Sequence, residues 1–309
     1  MVGIRREQWS IRVHTADAET VRRALKERDL LDRTLKPERD GEFLLVPVTE
    51  RIEHAERADF EERTQPAKLP RHELVGGIAL LHERDAEGAR RLLAARPSLH
   101  TVLYPESAVE GAYRTRAFTL LAGEDTTRTR YIEYGLRFEI DLAVAYFSPR
   151  LANERQRVLD LVDEGERVFD LFAGVGPFAI TLAQKAAVVF ASDINPGAVH
   201  LMIDNLRGNR VRNVVPMLAD AHRIGRVCSL QWDRVVMNLP LMSAQFLETA
   251  FDLCREGGWI HFYALQSEMG IYLPRIEAHT GGAIHERVVR SYSPSQHHAV
   301  YDIEVRPPH

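Results

Sequence analysis

The 309-residue sequence predicts an α/β protein in which a Rossmann-like sheet is preceded by two smaller α+β modules. Three observations carry that expectation. From Arg167 onward, short apolar strand patterns alternate with helical ones. Acidic or amide residues (Asp170, Asp193, Asp220, Asn238) close four successive strands of that series. The first strand runs straight into the glycine turn Asp170-Leu171-Phe172-Ala173-Gly174-Val175-Gly176-Pro177-Phe178. The expected modules are residues 1–65, 66–148 and 149–309.

In the first module, Trp9, Ile11 and Val13 alternate with polar residues as in a half-buried strand. Thr15 or Asp17 is placed to cap a helix carrying Val21, Ala24, Leu25 and Leu31. A second strand is expected over 43–48 after the turn Asp40-Gly41, and the polar segment 61–71, with Pro66 and Pro70, reads as a linker. The second module is expected to open with one strand over 74–81, then a helix over 86–95, a loop at Gly123-Glu124-Asp125, and strands over 129–134 and 136–143. The third starts at Tyr146-Phe147-Ser148-Pro149-Arg150, with Ser148 or Asn153 as cap of a helix bearing Glu154, Val158 and Leu161. Strands over 167–170, 188–193, 214–219, 234–237 and 259–265 follow, separated by helices. Apolar strands so spaced form a parallel sheet covered on both faces, and a final pair over 283–292 and 299–305 adds an antiparallel edge.

Composition narrows the function classes. The chain is 45% hydrophobic and 27% charged with a net charge of −4, so no global basic field advertises a nucleic-acid partner, and any RNA surface must be local. Only Lys26, Lys36, Lys68 and Lys185 are lysines among 40 basic residues; arginine, the rest, makes bidentate contacts with phosphate, although a compositional bias of the genome explains the skew equally well. Two unpatterned cysteines, Cys228 and Cys254, argue against a disulfide framework or a zinc site, and no metal is expected. No apolar run approaches membrane-spanning length, and the start lacks a signal-peptide hydrophobic region, so the expected location is the cytoplasm.

The glycine turn restricts the cofactor. Its two glycines allow a tight turn with no Cβ in a ligand's way, but Pro177 and Phe178 stand where a dinucleotide site needs room for helix and strand to close. With no P-loop Lys-Ser/Thr, the loop fits a cofactor lacking pyrophosphate, and S-adenosyl-L-methionine is the usual one. Ligands of such sheets lie at the carboxyl ends of the strands. Asp193 is there to take a ribose diol and Asp220 to accept from an adenine amino group; either alone could equally cap the following helix. Asn238-Leu239-Pro240 occupies the position of the Asn/Asp-Pro-Pro-aromatic motif of amino-group methyltransferases, but its leucines depart from exocyclic-amine chemistry and indicate another acceptor atom. Further upstream, Arg114, Arg116, Arg128 and Arg130 lie beside Tyr113, Tyr131 and Tyr134. That grouping suits single-stranded RNA, with charge for phosphates and rings for splayed bases, and suits a solvated strand face as well.

Together, Gly111-Ala112-Tyr113-Arg114-Thr115-Arg116, Tyr146-Phe147-Ser148-Pro149-Arg150 with Glu154, the Asp170 turn, Asp193-Ile194-Asn195-Pro196, Met237-Asn238-Leu239-Pro240 and Ser291-Tyr292-Ser293-Pro294 resemble the archaeal and eukaryotic type of tRNA (guanine-37, N1)-methyltransferase over essentially the whole chain. The resemblance implies a Rossmann-like class I methyltransferase sheet, S-adenosyl-L-methionine as cofactor, and as partner the tRNA anticodon stem-loop with guanine at position 37. It also implies tRNA contact by the first module and RNA binding by the second, while a monomer is expected because no long apolar surface helix demands a partner. Carried onto matching positions, it makes Glu154 the general base for the N1 proton, has Arg114 stabilise charge on O6, and has Tyr146 stack on the base. Asn238 and Arg150 would fix base and cofactor, Arg116 would contact substrate, and Pro240 would shape the pocket. Cofactor contacts would come from Asp170, Phe172, Gly174, Gly176, Asp193, Ile194 and Asp220. The related wyosine-pathway methyltransferases and aminocarboxypropyl transferases, acting at the same position, share the glycine loop; the transferases characteristically lack Asn-Leu-Pro. A third reading is an RNA-binding protein that keeps the sheet without catalysis. Where the family often has Lys after Asn-Leu-Pro, this chain has Leu241.

Overall fold

The computed structural model describes residues 5–62, 69–107, 111, 115–227 and 230–308. It divides into two compact units, Met1–Lys68 and Leu69–His309.

In the first unit, β1 (Arg5–His14), α1 (Ala18–Glu27), β2 (Glu38–Asp40), β3 (Phe43–Pro47) and β4 (Glu56–Glu61) make an antiparallel sheet of order β2-β3-β1-β4 with one helix on it. The alternation in β1 turns Val13 inward against Leu25 of α1 and Val46 and Val48. Asp17 stands at the helix N-cap without a side-chain bond. Leu31 is not part of the helix; it lies beyond the end of α1 and pairs by an isolated bridge with Val48.

The second unit opens with β5 (His72–Val75), β6 (Ile78–Leu81), α2 (Ala86–Ala95), β7 (Thr101–Pro105) and β8 (Phe118–Gly123), a sheet of order β5-β6-β7-β8 in which α2 crosses between the parallel pair β6 and β7. The single strand expected over 74–81 is instead a hairpin broken at Gly76-Gly77. Gly76 has φ +56°, and a Cβ there would stand 2.3 Å from the Arg130 carbonyl oxygen. Gly77 N–H donates to Thr129 Oγ1 at 2.8 Å, so the turn is made by close packing on the next hairpin. Strands β7 and β8 carry short apolar runs that periodicity does not separate from loop.

That next hairpin is β9 (Arg128–Glu133) and β10 (Leu136–Asp141), joined at Tyr134-Gly135. It docks on α5 (Pro196–Gly208), described below, through two asparagines. Asn205 accepts from Glu139 N–H at 2.6 Å and donates to the Glu139 carbonyl at 3.1 Å, and Asn209 does the same for the backbone of Arg137. These side chains satisfy strand groups that would otherwise lack partners at a sheet edge. Val75, Ile78, Leu80, Phe138 and Ile140 share one core with Val158, Val168, Phe178 and Met202 of the following sheet and its helices.

A 3-10 turn over Pro149–Leu151 then leads into α3 (Ala152–Leu161). Neither Ser148 nor Asn153 caps it: Leu151 holds the N-cap position, and Asn153 Oδ1 accepts from the Tyr134 hydroxyl at 2.7 Å. The series continues as β11 (Arg167–Asp170), α4 (Pro177–Leu182), β12 (Val188–Asp193), α5, β13 (Val214–Leu218), α6 (Ala221–Val227), β14 (Trp232–Met237), α7 (Leu247–Leu253), β15 (Cys254–Gln266), α8 (Leu273–Glu277), β16 (Ile284–Ser293) and β17 (Gln296–Glu304). The sheet order is β13-β12-β11-β14-β15-β17-β16, parallel except for β17, which runs antiparallel to both neighbours. The chain turns from β11 towards β12 on one side and returns to β14 on the other. The carboxyl ends of β11 and β14 therefore flank the crevice in which such sheets take ligands.

Candidate active site

Two cavities open at this crevice and share a wall made by Tyr146, Phe147, Ser148, Leu151 and Asn238.

The first cavity, of about 310 Å³, is floored by the glycine turn. Gly174 (φ +55°) and Gly176 (φ +89°) adopt the left-handed backbone that lets β11 fold back into α4, with Pro177 in the first helical position. The turn is tied to the next strand: Gly174 N–H donates to Asp193 Oδ2 at 2.8 Å, and Asn195 N–H to Asp193 Oδ1 at 2.9 Å. The Asp193 carboxylate is thereby fixed at the end of β12, where it lines the cavity. Asp220, after β13, accepts from His222 N–H at 3.0 Å and lines the same cavity. Phe172 and His222 both pack on Phe246, with centroids 5.0 Å and 4.4 Å away.

Among the described residues of this lining, Arg155 is the single basic side chain of the Lys or Arg type, and it is already bound to Glu133. Apolar walls, two carboxylates and no cation for a pyrophosphate fit the nucleoside and cationic centre of S-adenosylmethionine. Asn238 strengthens the fit, because its Oδ1 is buried at the junction of the cavities with no hydrogen-bond partner among the described residues. A buried acceptor left so is costly unless a ligand donates to it.

The second cavity, of about 470 Å³, is cationic: among its described lining residues Arg116, Arg150 and Arg290 face a single carboxylate, Glu73, alongside Tyr146, Tyr292, His298, Pro240 and Leu241. Arg150 pairs with Glu73 at 3.0 Å. Arg116 is half-buried, and desolvation draws its guanidinium below the usual arginine range against the opposing pull of Glu73 and Tyr146. Arg290 Nε is buried without a partner among the described residues, its guanidinium carbon 5.9 Å from the Tyr292 ring centre. Guanidinium groups and rings around a half-open cavity suit a base turned out of its stack with its phosphates attached.

The residues expected from sequence separate as follows. Tyr146 and Asn238 stand at both cavities; Phe172, Gly174, Asp193, Ile194 and Asp220 line the first; Arg116, Arg150 and Pro240 line the second. Arg150 therefore does not reach the cofactor cavity. Asp170 and Gly176 lie beneath the turn rather than in the lining. The Asp170 side chain is 1% exposed, and a Cβ on Gly176 would meet Met202 Cγ at 2.9 Å. Burial pushes the Asp170 carboxyl up to about 7; the N–H groups of Phe172 and Ala179 pull it back although neither makes a well-formed bond, and Asp193 adds to the rise. Glu154 lines neither cavity: it is 4% exposed and bonded to Arg157, Tyr263 and Arg287. Arg114 and Tyr113 lie outside the described residues. Arg128 and Arg130 pair across their own hairpin with Asp141 and Glu139, and Tyr131 packs on Phe147.

Arg290, Tyr292, His298, His222 and Phe246 line the cavities without having been picked out by sequence reasoning. For Tyr292 the run Ser291-Tyr292-Ser293-Pro294 was a signal; the others carry none.

The TRM5/TYW2 methyltransferase domain family matches residues 129–280, and the tRNA methyltransferase 5 N-terminal domain family matches residues 10–56. The tRNA (guanine(37)-N(1))-methyltransferase Trm5b of Pyrococcus abyssi is 38% identical over 96% of this chain and 98% of its own length. The crystal structure of wild-type Trm5b from that organism superposes with a TM-score of 0.78 at 36% identity, covering 97% of this chain and 99% of that one. A complex of aTrm5 with tRNALeu also gives a TM-score of 0.78, at 28% identity, with 96% and 99% covered. The tRNA(Phe) (4-demethylwyosine(37)-C(7)) aminocarboxypropyltransferase of Methanocaldococcus jannaschii is 30% identical over 75% of this chain and 96% of its own length.

Proposed function

The chain belongs to the TRM5/TYW2 methyltransferase family, and we propose that it transfers a methyl group from S-adenosyl-L-methionine to N1 of guanine at position 37 of tRNA, next to the anticodon. The observation that carries this reading is the pair of cavities meeting at Tyr146 and Asn238, one fitted to an adenosyl group and the other to a nucleotide.

When bound, S-adenosylmethionine supplies a methyl carbon on a sulfonium, so that the N1–methyl bond forms as the sulfur–methyl bond breaks and its electron pair stays on sulfur. Asp193 and Asp220 hold the ribose and adenine, Phe172 and Ile194 cover the ring, and Gly174 gives it room. Asn238 Oδ1 accepts from guanine where the two cavities meet. Tyr146 stacks on the base, Arg116 and Arg150 hold its phosphates, and Pro240 closes the wall. Glu154 takes the N1 proton, without which N1 is a poor nucleophile, and Arg114 favours the resulting charge on O6. Residues 1–65 contact tRNA, residues 66–148 bind RNA, and 149–309 carries the chemistry. The working unit is a cytoplasmic monomer.

The second reading, a wyosine-pathway transferase at the same position, is less favoured because its relative is less similar and covers three quarters of the chain, whereas the N-terminal domain match extends over residues 10–56. Incubating the protein with labelled S-adenosylmethionine and tRNA transcripts tests the proposal. Label enters the guanine-37 transcript and not its adenine-37 counterpart, and the product gains the mass of a methyl group. Equal labelling of both transcripts, or an aminocarboxypropyl mass, refutes it.

A further inference from the structure

Glu154 sits one helical turn beyond Arg150 and Leu151, which line the second cavity, and one layer behind them. Both of its oxygens are held by donors. Tyr263 donates its hydroxyl to Oε1 at 2.8 Å; Arg157 reaches Oε1 at 2.7 Å and Oε2 at 3.1 Å; Arg287 binds Oε2. The three donors differ in freedom. Arg287 has a side chain 47% exposed, so solvent or an RNA phosphate can compete for it.

Arg157 is fixed from behind. Its other edge grips Asp302 at 2.6 Å and 3.1 Å, and Asp302 accepts from His261 Nδ1 at 2.5 Å. Arg234 Nη1 lies 2.8 Å from His261 Nε2 and can only donate, so His261 is the neutral Nδ1–H tautomer. Tyr263 is fully buried, its ring between Phe178 and His298 with centroids 5.7 Å and 5.6 Å away. Two residues along β15, on the same face, Leu265 lines the second cavity, as does His298.

We propose that Tyr263 is a positioning residue for methyl transfer, orienting Glu154 through Oε1 so that Oε2, freed of Arg287 when that residue moves onto substrate and left with only the longer Arg157 contact, receives the guanine N1 proton. The proposal rests on Glu154 being the base. Tyr263 touches neither substrate nor cofactor; it acts through the carboxylate. The proton passes from N1 to Oε2, the N1 pair forms the bond to methyl, and the bond to sulfur breaks with its electrons on sulfur.

Methylation of the guanine-37 transcript by full-length Tyr263→Phe across pH tests it. Loss of one hydrogen bond to a carboxylate lowers kcat about tenfold or more and moves the acid limb of the rate profile to higher pH, because an oxygen stripped of a donor holds its proton more tightly. The KM values for tRNA and S-adenosylmethionine stay within about twofold, since Tyr263 contributes no binding contact. Wild-type kcat with an unmoved limb overturns the proposal. Glu154→Gln separates the two claims: retained turnover refutes Glu154 as base, whereas loss of turnover there with an unaltered Tyr263→Phe refutes only the role of Tyr263. Should Tyr263→Phe not fold, fluorotyrosine at 263 is the second probe. It keeps the packing and donates more strongly, so the acid limb moves to lower pH; a stationary limb is the overturning result.

Discussion

Glu133→Ala is the most informative perturbation of the scaffold. Arg155 of α3 is 1% exposed and forks onto Glu133 of β9, with Nε 2.6 Å from Oε1 and Nη2 2.5 Å from Oε2; Glu133 is itself 3% exposed. Among the described residues, the other acceptor for Arg155 is the Ser148 carbonyl at 3.4 Å to 3.5 Å, and Phe147 and Phe178 lie beside the guanidinium. Removing the carboxylate strands a charge that cannot reach water, which costs about 3–5 kcal/mol. A domain holds in total about 5–15 kcal/mol, so the loss is a large share. With a urea slope of about 3 kcal/mol per molar, the midpoint falls by about 1–1.7 M. The reference is the double variant Glu133→Leu/Arg155→Met, which removes both charges at similar volume and recovers most of the loss. Urea unfolding followed by far-ultraviolet circular dichroism reads both. A Glu133→Ala loss below about 1 kcal/mol, or a double variant no better than the single one, refutes the claim that the buried pair holds hairpin and helix together.

Two further outcomes follow from the glycine turn. Because burial raises the Asp170 carboxyl to about 7, the folded state binds its proton more tightly than the unfolded chain, so stability falls as pH climbs from about 4 to about 7 and levels off above, by about 4 kcal/mol in all. Asp170→Asn removes that slope, and urea midpoints between pH 5 and 8 that run parallel in the two proteins refute it. Gly176→Ala combines a left-handed backbone with a methyl 2.9 Å from Met202 Cγ and costs about 2–3 kcal/mol, whereas Gly174→Ala meets nothing nearer than the Tyr146 carbonyl at 3.8 Å and costs about 1 kcal/mol. Denaturation midpoints in the reverse order refute the packing argument.

The strand-end residues illustrate what was readable locally. A strand of alternating or continuous apolar residues, a glycine turn and a helix are short-range patterns, so the positions of Asp193, Asp220 and Asn238 at the mouth of the first cavity were legible before any coordinates. The hairpin at Gly76-Gly77 was not, because what breaks the strand is the Arg130 carbonyl, more than fifty residues away in the chain. Glu154 shows the same limit at the candidate site. The family resemblance identified it as a candidate, but its burial depends on Tyr263 of β15 and Arg287 of β16.

The amino-acid sequence by itself determined the doubly wound sheet, the cofactor loop and the family, since each is carried by short motifs, one or several along the chain, whose own residues are near neighbours. Only the tertiary structure decided the second cavity. Arg290 and Tyr292 come to face Arg116 and Tyr146 because β17 inserts antiparallel between β15 and β16, and such long-range pairing leaves no trace in local periodicity.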